Sequence, residues 1–300
     1  MSKVIAILLF TLVATGALHA QRPEIPDQLR EARFDSLLNE ILFEDDNLAY
    51  LLGVKKNYQF LYYRTAFDTR TFYAGREIGS QQYNFSGQLY YMHSKGIYAG
   101  VSGAWYSQLN PGYRTTVLTL GYSKGLKKKT FFRYRISYDY FVFNNDDPDF
   151  EPLYTSGMNA GITLKSKTLG TRMNYYMLLG KETGSSFSWD AYSHINLLRL
   201  GTYDRIRLEP QALFYFGSEA VEHKLSEVLV DPMTNISYDS YYKDEFGLMN
   251  IQLQLPLRIK YKSFDFDASW IYNFPQTKND AFSYQQNSSF RFSIGYIFNL

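Results

Sequence analysis

Four histidines (His19, His93, His194 and His223) and a complete lack of cysteine bound the chemistry open to this 300-residue chain. Without thiols there is no Cys nucleophile, no disulfide framework and no thiolate metal site. Ser193 and His194 are adjacent in a segment that alternates polar and apolar residues, so they point to opposite sides of a strand and cannot act as a nucleophile–base pair. No G-x-S-x-G, H-E-x-x-H or G-x-x-x-x-G-K-[ST] pattern occurs. The expectation is a chain that is not an enzyme, with no cofactor and no metal centre. The acidic run Asn144-Asn145-Asp146-Asp147-Pro148-Asp149 lacks calcium-loop spacing. Residues 217–244 carry Glu219, Glu222, Glu227, Asp231, Asp239 and Asp244 against Lys224 and Lys243, and read as a solvated hairpin extension turning at Asp231-Pro232.

A second set of charges is more informative, because it recurs at alternate positions: Arg133, Arg135 and Asp139; Asp190; Arg205, Arg207 and Glu209; Arg258 and Lys260; Asp265 and Asp267; Arg291. A spacing of two puts such residues on one face of an extended strand. The chemistry they offer is electrostatic. Either they form an ion-pair network that fills a narrow interior, or they line a polar passage; for any one of them the structural network is the simpler reading.

The elements that must position these charges count in twos. Phe132, Tyr134, Ile136, Tyr138, Tyr140 and Val142 form one face of a strand, and Arg133, Arg135, Ser137 and Asp139 lie on the other. The same alternation runs through Met249–Tyr261, Phe264–Phe274 and Phe290–Leu300, each with one uncharged, largely aromatic and aliphatic face. A soluble sandwich also alternates, but ordinary strands are about 5–6 residues long. These reach ten or more, close to the roughly 9–11 that cross a bilayer at a tilt. A charge facing lipid near the midplane costs about 2–4 kcal/mol, which accounts for the uncharged faces. About twelve strands follow: 57–67, 82–93, 97–107, 113–126, 130–143, 154–165, 168–179, 187–200, 205–216, 245–261, 264–274 and 285–300. Tight connections at 94–96, 127–129, 166–167, 201–204 and 262–263 alternate with longer ones at 68–81, 108–112, 144–153, 180–186, 217–244 and 275–284. The expected fold is all-β: a transmembrane antiparallel up-and-down barrel over residues 57–300, with an even strand number and both termini in the periplasm.

The tight turns predict register. Lys260 should oppose Asp265 and Arg258 oppose Asp267; Leu89 should meet Val101 and Phe85 meet Trp105; Tyr122 should meet Tyr134; Leu164 should meet Leu169 and Met158 meet Tyr175. By the same arithmetic His194 falls near Gln211. Pro210 and Pro256 lie inside strands and cannot donate to the ladder, so an irregularity is expected at each. In the first strand, Leu61, Tyr63 and Phe67 are taken as outward.

The N-terminus reads differently. Lys3, the apolar run Val4–Val13 and the small-residue options ending at Ala17 and Ala20 make residues 1–20 a secretory signal peptide. In residues 21–56, Phe34, Leu37, Leu38, Ile41 and Leu42 form a helical stripe, expected as a short periplasmic helical segment whose part 21–53 docks a periplasmic partner or plugs the barrel. The formal net charge is +2, which gives no electrostatic footprint for nucleic acid.

The chain resembles the uncharacterised outer-membrane β-barrel proteins of Bacteroidota-type bacteria. The resemblance is carried by Tyr73-Ala74-Gly75-Arg76-Glu77-Ile78-Gly79, Lys262-Ser263-Phe264-Asp265-Phe266, Asn273-Phe274-Pro275 and the final strand Ser293–Leu300. It implies a Gram-negative outer membrane as location, outer-membrane lipids as surroundings and the barrel-assembly machinery as a partner. Tyr296, Phe298 and Leu300 correspond to the C-terminal signal that machinery reads. No activity follows from it. A porin-like pore, uptake or envelope role leads; a binding or scaffold barrel with a plugged lumen and an outer-membrane lipid-modifying hydrolase are the alternatives.

Overall fold

The computed structural model describes residues 59–77, 82–109, 111–126, 129–144, 151–166, 168–201, 204–230, 237–277 and 284–300. The signal sequence and the helical stripe expected over residues 1–56 lie outside the described residues, as does the acidic run over 145–149.

Twelve antiparallel strands follow one another: β1 Gln59–Asp68, β2 Asn84–His93, β3 Ile97–Tyr106, β4 Tyr113–Leu126, β5 Lys129–Phe143, β6 Tyr154–Lys165 and β7 Leu169–Gly180. Strand β8 runs Thr183–Ser193 and resumes after His194 as Ile195–Arg199; β9 runs Arg205–Leu208 and resumes after Glu209-Pro210 as Gln211–Val230. Then come β10 Ser237–Tyr261, β11 Phe264–Pro275 and β12 Asn287–Asn299. Each strand pairs with its predecessor, and β1 pairs with β12 from Phe60↔Asn299 to Asp68↔Arg291, so the sheet closes on itself. Closure leaves no edge strand with unpaired backbone groups.

The alternation seen in sequence becomes an inversion of inside and outside. Along β5, Tyr134, Ile136, Tyr138, Tyr140 and Val142 are exposed while Arg133, Arg135, Ser137 and Asp139 are buried. Leu120 is 61 % exposed and Arg135 is 3 % exposed. Strand β11 repeats the pattern, with Phe264, Phe266 and Trp270 outside and Asp265, Asp267 and Ser269 inside. In β1, Phe60, Tyr62, Ala66 and Asp68 are buried, so Leu61, Tyr63 and Phe67 are the outward set, as expected. In water this exterior would be strongly disfavoured, since exposed apolar patches on soluble monomers rarely exceed a few hundred Å². The chain is a transmembrane β-barrel.

Tyrosines fill much of the inner wall. The rings of Tyr62, Tyr90, Tyr98, Tyr176 and Tyr192 lie where a Cβ would stand on Gly295, Gly100, Gly121, Gly157 and Gly170. Tyr90↔Gly100, Tyr98↔Gly121 and Tyr192↔Gly170 are directly opposite pairs. A missing side chain on one strand thus lets a flat ring from the next lie against the backbone.

Connections between strands alternate short and long, with two changes from expectation. The 180–186 loop is a tight turn, because Thr183 already pairs with Leu179. The 217–244 loop is largely hairpin ladder, running up to Val230↔Ser237; its apex 231–236 lies outside the described residues. Register at Lys260↔Asp265, Arg258↔Asp267, Leu89↔Val101 and Phe85↔Trp105 is as predicted. Two other registers are corrected by two residues. Tyr122 opposes Ile136 and Lys124 opposes Tyr134, because the ladder shifts between Gly125 and Leu126. Leu164 opposes Thr171 and Met158 opposes Met177, because the β6–β7 turn is wider than two residues. A shift of two leaves every side chain on its predicted face.

Pro210 brings the expected irregularity, an interruption of its strand, whereas Pro256 does not. Neither shifts the register. Pro256 sits in an unbroken β10 opposite Ser269. Residues 209–210 interrupt β9, yet Leu208↔Leu257 and Gln211↔Gln254 keep one register across the gap. Each proline still accepts through its carbonyl, Pro256 from Glu209 N–H at 3.0 Å and Pro210 from Ser193 N–H at 3.0 Å. Only one ladder donor is lost at each site, which a closed sheet with partners on both sides tolerates.

Candidate functional site: the charged bore

The closed sheet gathers the alternating charges into one interior. Arg133, Arg135, Asp139, Asp190, Arg207, Glu209, Arg258, Asp265 and Asp267 are buried; Arg205, Lys260 and Arg291 are on the same inward faces and partly exposed. Exposed apolar residues flank Arg135, Asp139, Asp190, Asp265, Asp267 and Arg291 on both sides, which fixes the direction of those faces.

The densest part is a belt across five consecutive strands, β7 to β11. Arg172 Nε donates to both oxygens of Asp190, at 2.9 and 3.0 Å, and the two residues are directly opposite in register. The Arg172 guanidinium lies 4.5 Å from the centre of the Tyr192 ring, which meets the His194 ring edge-on at 5.1 Å. His194 Nδ1 is 3.0 Å from Glu209 Oε1. Glu209 also holds Arg207, and its Oε2 stands 3.0 Å from Arg258 Nη1. Arg258 Nε donates to Asp267 Oδ2 at 3.3 Å, and Ser269 Oγ donates to Asp267 Oδ1 at 2.5 Å. Glu209 therefore separates two arginines, Arg207 and Arg258, that the register places directly opposite each other. Buried charges survive in a low-dielectric interior only when paired in this way.

Two smaller groups complete the lining. Arg135 Nη2 donates to Asn174 Oδ1 at 3.0 Å and to Asn159 Oδ1 at 3.4 Å, while Asp139 accepts from Thr119 at 2.5 Å and from Tyr176 at 3.4 Å. Nearer the long-loop end, Arg291 grips Asp68 with two bonds of 2.6 Å, and Asn250, Asn273 and Asn287 form a ladder at 3.0 and 2.9 Å.

Sequence reasoning missed Arg172 and Asp68, both inward on the same parity as Arg64, which the outward choice of Leu61, Tyr63 and Phe67 already placed inside. Carrying the period-two count through β7 and one residue past Phe67 finds them. His194 meets Glu209, not Gln211: the β8–β9 register that pairs Tyr192 with Gln211 and Ile195 with Leu208 brings Glu209 opposite His194. His93 is a turn residue, its Nδ1 accepting from Lys95 N–H at 3.0 Å. The side chain of His223 lies outside the described residues. Among the described residues no group of three or more His, Asp and Glu is placed to hold a metal ion.

The long-loop mouth is partly closed from within. After β1 the chain forms a two-residue ladder, Phe72–Tyr73 with Arg76–Glu77, around Ala74 and Gly75 at φ of 46° and 77°. Ala74 is fully buried against Met249 of β10 and Leu213 and Tyr215 of β9, three and four strands away from β1 around the wall. Asn287 Nδ2 donates to Gly75 O at 2.7 Å, Arg76 Nη2 donates to Gln276 O at 2.6 Å, and the Arg76 guanidinium covers the Tyr284 ring at 4.4 Å. A Cβ on Gly75 would strike the Asn250 side chain.

No model of a known protein family matches the chain, and no curated protein matches it. Solved structures similar to it include the KdgM porin, at 8 % identity and a TM-score of 0.44, covering 79 % of this chain and 98 % of that one. LpxR from Salmonella typhimurium is similar at 10 % identity and a TM-score of 0.38, covering 79 % and 100 %. The outer membrane protein OprD from Pseudomonas aeruginosa is similar at 13 % identity and a TM-score of 0.35, covering 80 % of this chain and 66 % of that one. The membrane assignment rests on this chain's own surface.

Proposed function

We propose that the chain is an integral outer-membrane barrel of a Gram-negative, Bacteroidota-type bacterium, with both termini in the periplasm, serving passage or uptake of a polar solute through a charge-lined bore. The observation that carries this reading is the inversion of the wall: apolar and aromatic side chains outside, charges inside. Solvation of the exterior by acyl chains removes the cost of exposing it, and the charges are kept away from the lipid inside the wall, where Arg205, Lys260 and Arg291 are the partly exposed ones. Tyr296, Phe298 and Leu300 end the last strand on its outer face, with Phe298 and Leu300 exposed, a position suited to recognition by the assembly machinery. Single-channel recording on the full chain in planar bilayers tests the passage role. Discrete conductance steps support it, and a silent bilayer contradicts it.

A second reading, a binding or scaffold barrel with a plugged lumen, is favoured by the Phe72–Glu77 hairpin. A loop folded this far inside narrows the bore whatever its purpose. A silent bilayer that gains conductance once the hairpin is released would select this reading.

A further inference from the structure

Past its last contact with β7, the β8–β9 hairpin stands clear of the closed wall. Leu169 pairs with Ser193, and His194 N–H donates to Thr168 O at 2.7 Å. Beyond that point Ile195–Arg199 pairs with Arg205–Leu208 of β9 and, among the described residues, with no strand on its other edge. The alternation of buried and exposed residues stops there too. All five residues Ile195–Arg199 are exposed, whereas most of β11 buries every second residue. A bulge between Asn196 and Leu198 takes Leu197 out of the pairing. Ile195, Leu197, Leu198 and Leu200 are 46, 55, 51 and 51 % exposed. Leu198 is opposite Ile206 and Ile195 opposite Leu208, so these apolar side chains form one patch.

Neither solvent suits this patch. In acyl chains the free strand edge would leave backbone N–H and C=O groups without partners. In water, large apolar side chains on one short hairpin stay unburied. An apolar protein segment laid over the leucines, with the strand edge left to water, satisfies both.

The chain's own N-terminal segment meets that description. β1 starts at Gln59, opposite His93 beside the 94–96 turn, so the residues before it reach the wall at the same short-turn end as the hairpin. Phe34, Leu37, Leu38, Ile41 and Leu42 recur at helical spacing and make an apolar stripe. β8 lies five strands from β1 through β12, roughly 24 Å around the wall. The stretch from Leu42 to Gln59 spans about 25 Å even as a helix. Charge agrees in sign. Glu40, Glu44, Asp45 and Asp46 border the stripe. Exposed Arg199 borders the patch, as does exposed Lys262, whose N–H donates to Asp204 Oδ1 of the hairpin's turn at 2.8 Å.

We propose that the Ile195–Leu208 hairpin is the seat of this chain's own N-terminal segment, the stripe from Phe34 to Leu42 packing on Ile195, Leu197, Leu198 and Leu200. The seat rests on the barrel and not on its conducting.

Disulfide formation in the full chain, purified in detergent micelles, tests it, because there is no native cysteine. The Leu38→Cys/Leu198→Cys pair is compared with Leu38→Cys/Lys124→Cys. Lys124 is exposed near the short turn after β4, only three strands from β1. Under mild oxidation the first pair should close within one chain about tenfold or more faster than the second, at a rate independent of protein concentration. Leu197→Asp/Leu200→Asp should abolish that advantage while keeping the heat-modifiable gel migration of a folded barrel. Should that variant fail to fold, Ile41→Asp, which leaves every strand of the barrel unaltered, should abolish it instead. Equal rates for the two pairs, an advantage that survives in the folded variants, or disulfides formed only between chains overturns the seat. A chain that stays monomeric without detergent would instead overturn the barrel itself.

Discussion

Glu209 is the residue on which the interior depends most. It stands between Arg207 and Arg258, which face each other across β9 and β10, and it orients His194. Removing one member of a buried charge group typically costs about 3–5 kcal/mol, because the remaining charge is left uncompensated. Glu209→Gln keeps the shape and removes the charge. It should lower the unfolding free energy, measured by urea titration in lipid vesicles, by about 3 kcal/mol. Arg207→Gln in the same background should restore part of that loss by removing one of the two opposed cations, giving a non-zero coupling in a double-mutant cycle. Additive effects would mean that Glu209 does not mediate between the arginines. The charge identities themselves were legible from sequence, since a period of two is enough to sort residues into faces. The bond between His194 and Glu209 was not, because it depends on a register carried past a strand interruption.

At the scale of the element, the outer face of each strand should tolerate charge according to depth. Ile136 lies in the middle of β5 and is exposed; Phe298 lies at the end of β12 and is also exposed. Ile136→Arg should destabilise the barrel by about 2–4 kcal/mol, and Phe298→Arg by about 0–1 kcal/mol, in unfolding titrations from vesicles. Equal costs at the two depths would contradict a bilayer around the barrel. Strand positions and face assignments were readable because strand length, alternation and turn spacing all report the same period. Absolute register was less so. At 94–96 and 262–263 the turn size fixes the pairing, whereas the shift between Gly125 and Leu126 and the wider β6–β7 turn moved two ladders by two residues. Such a slip costs nothing in face matching, so the sequence pattern cannot detect it. Pro256 likewise advertised an irregularity that the paired strands on both sides absorb.

For the molecule as a whole, the departure from a simple tube is the Phe72–Glu77 hairpin. Its sequence shows a short Ala-Gly turn, but its burial against Leu213, Tyr215 and Met249 is a long-range contact that no local pattern encodes. Gly75 sits at φ of 77° with the Asn250 side chain against it, so Gly75→Val is strained in backbone and blocked in space. This variant should free the hairpin from the bore and raise single-channel conductance relative to the unaltered chain. Unchanged conductance would show that the hairpin does not set the width of the passage.

The central claim is that acyl chains, not water or a second protein layer, wet the outer wall. The chain has no native cysteine, so single cysteines can be placed and spin-labelled at each position from Phe132 to Val142 in liposomes. Collision rates with oxygen, which concentrates in lipid, and with a water-soluble nickel chelate then report the surroundings of each label. The account predicts high oxygen accessibility at Tyr134, Ile136, Tyr138 and Tyr140, alternating with low oxygen accessibility at Arg135, Ser137 and Asp139. Labels at the first four positions that are shielded from both reagents, as in a packed sandwich core, would contradict it.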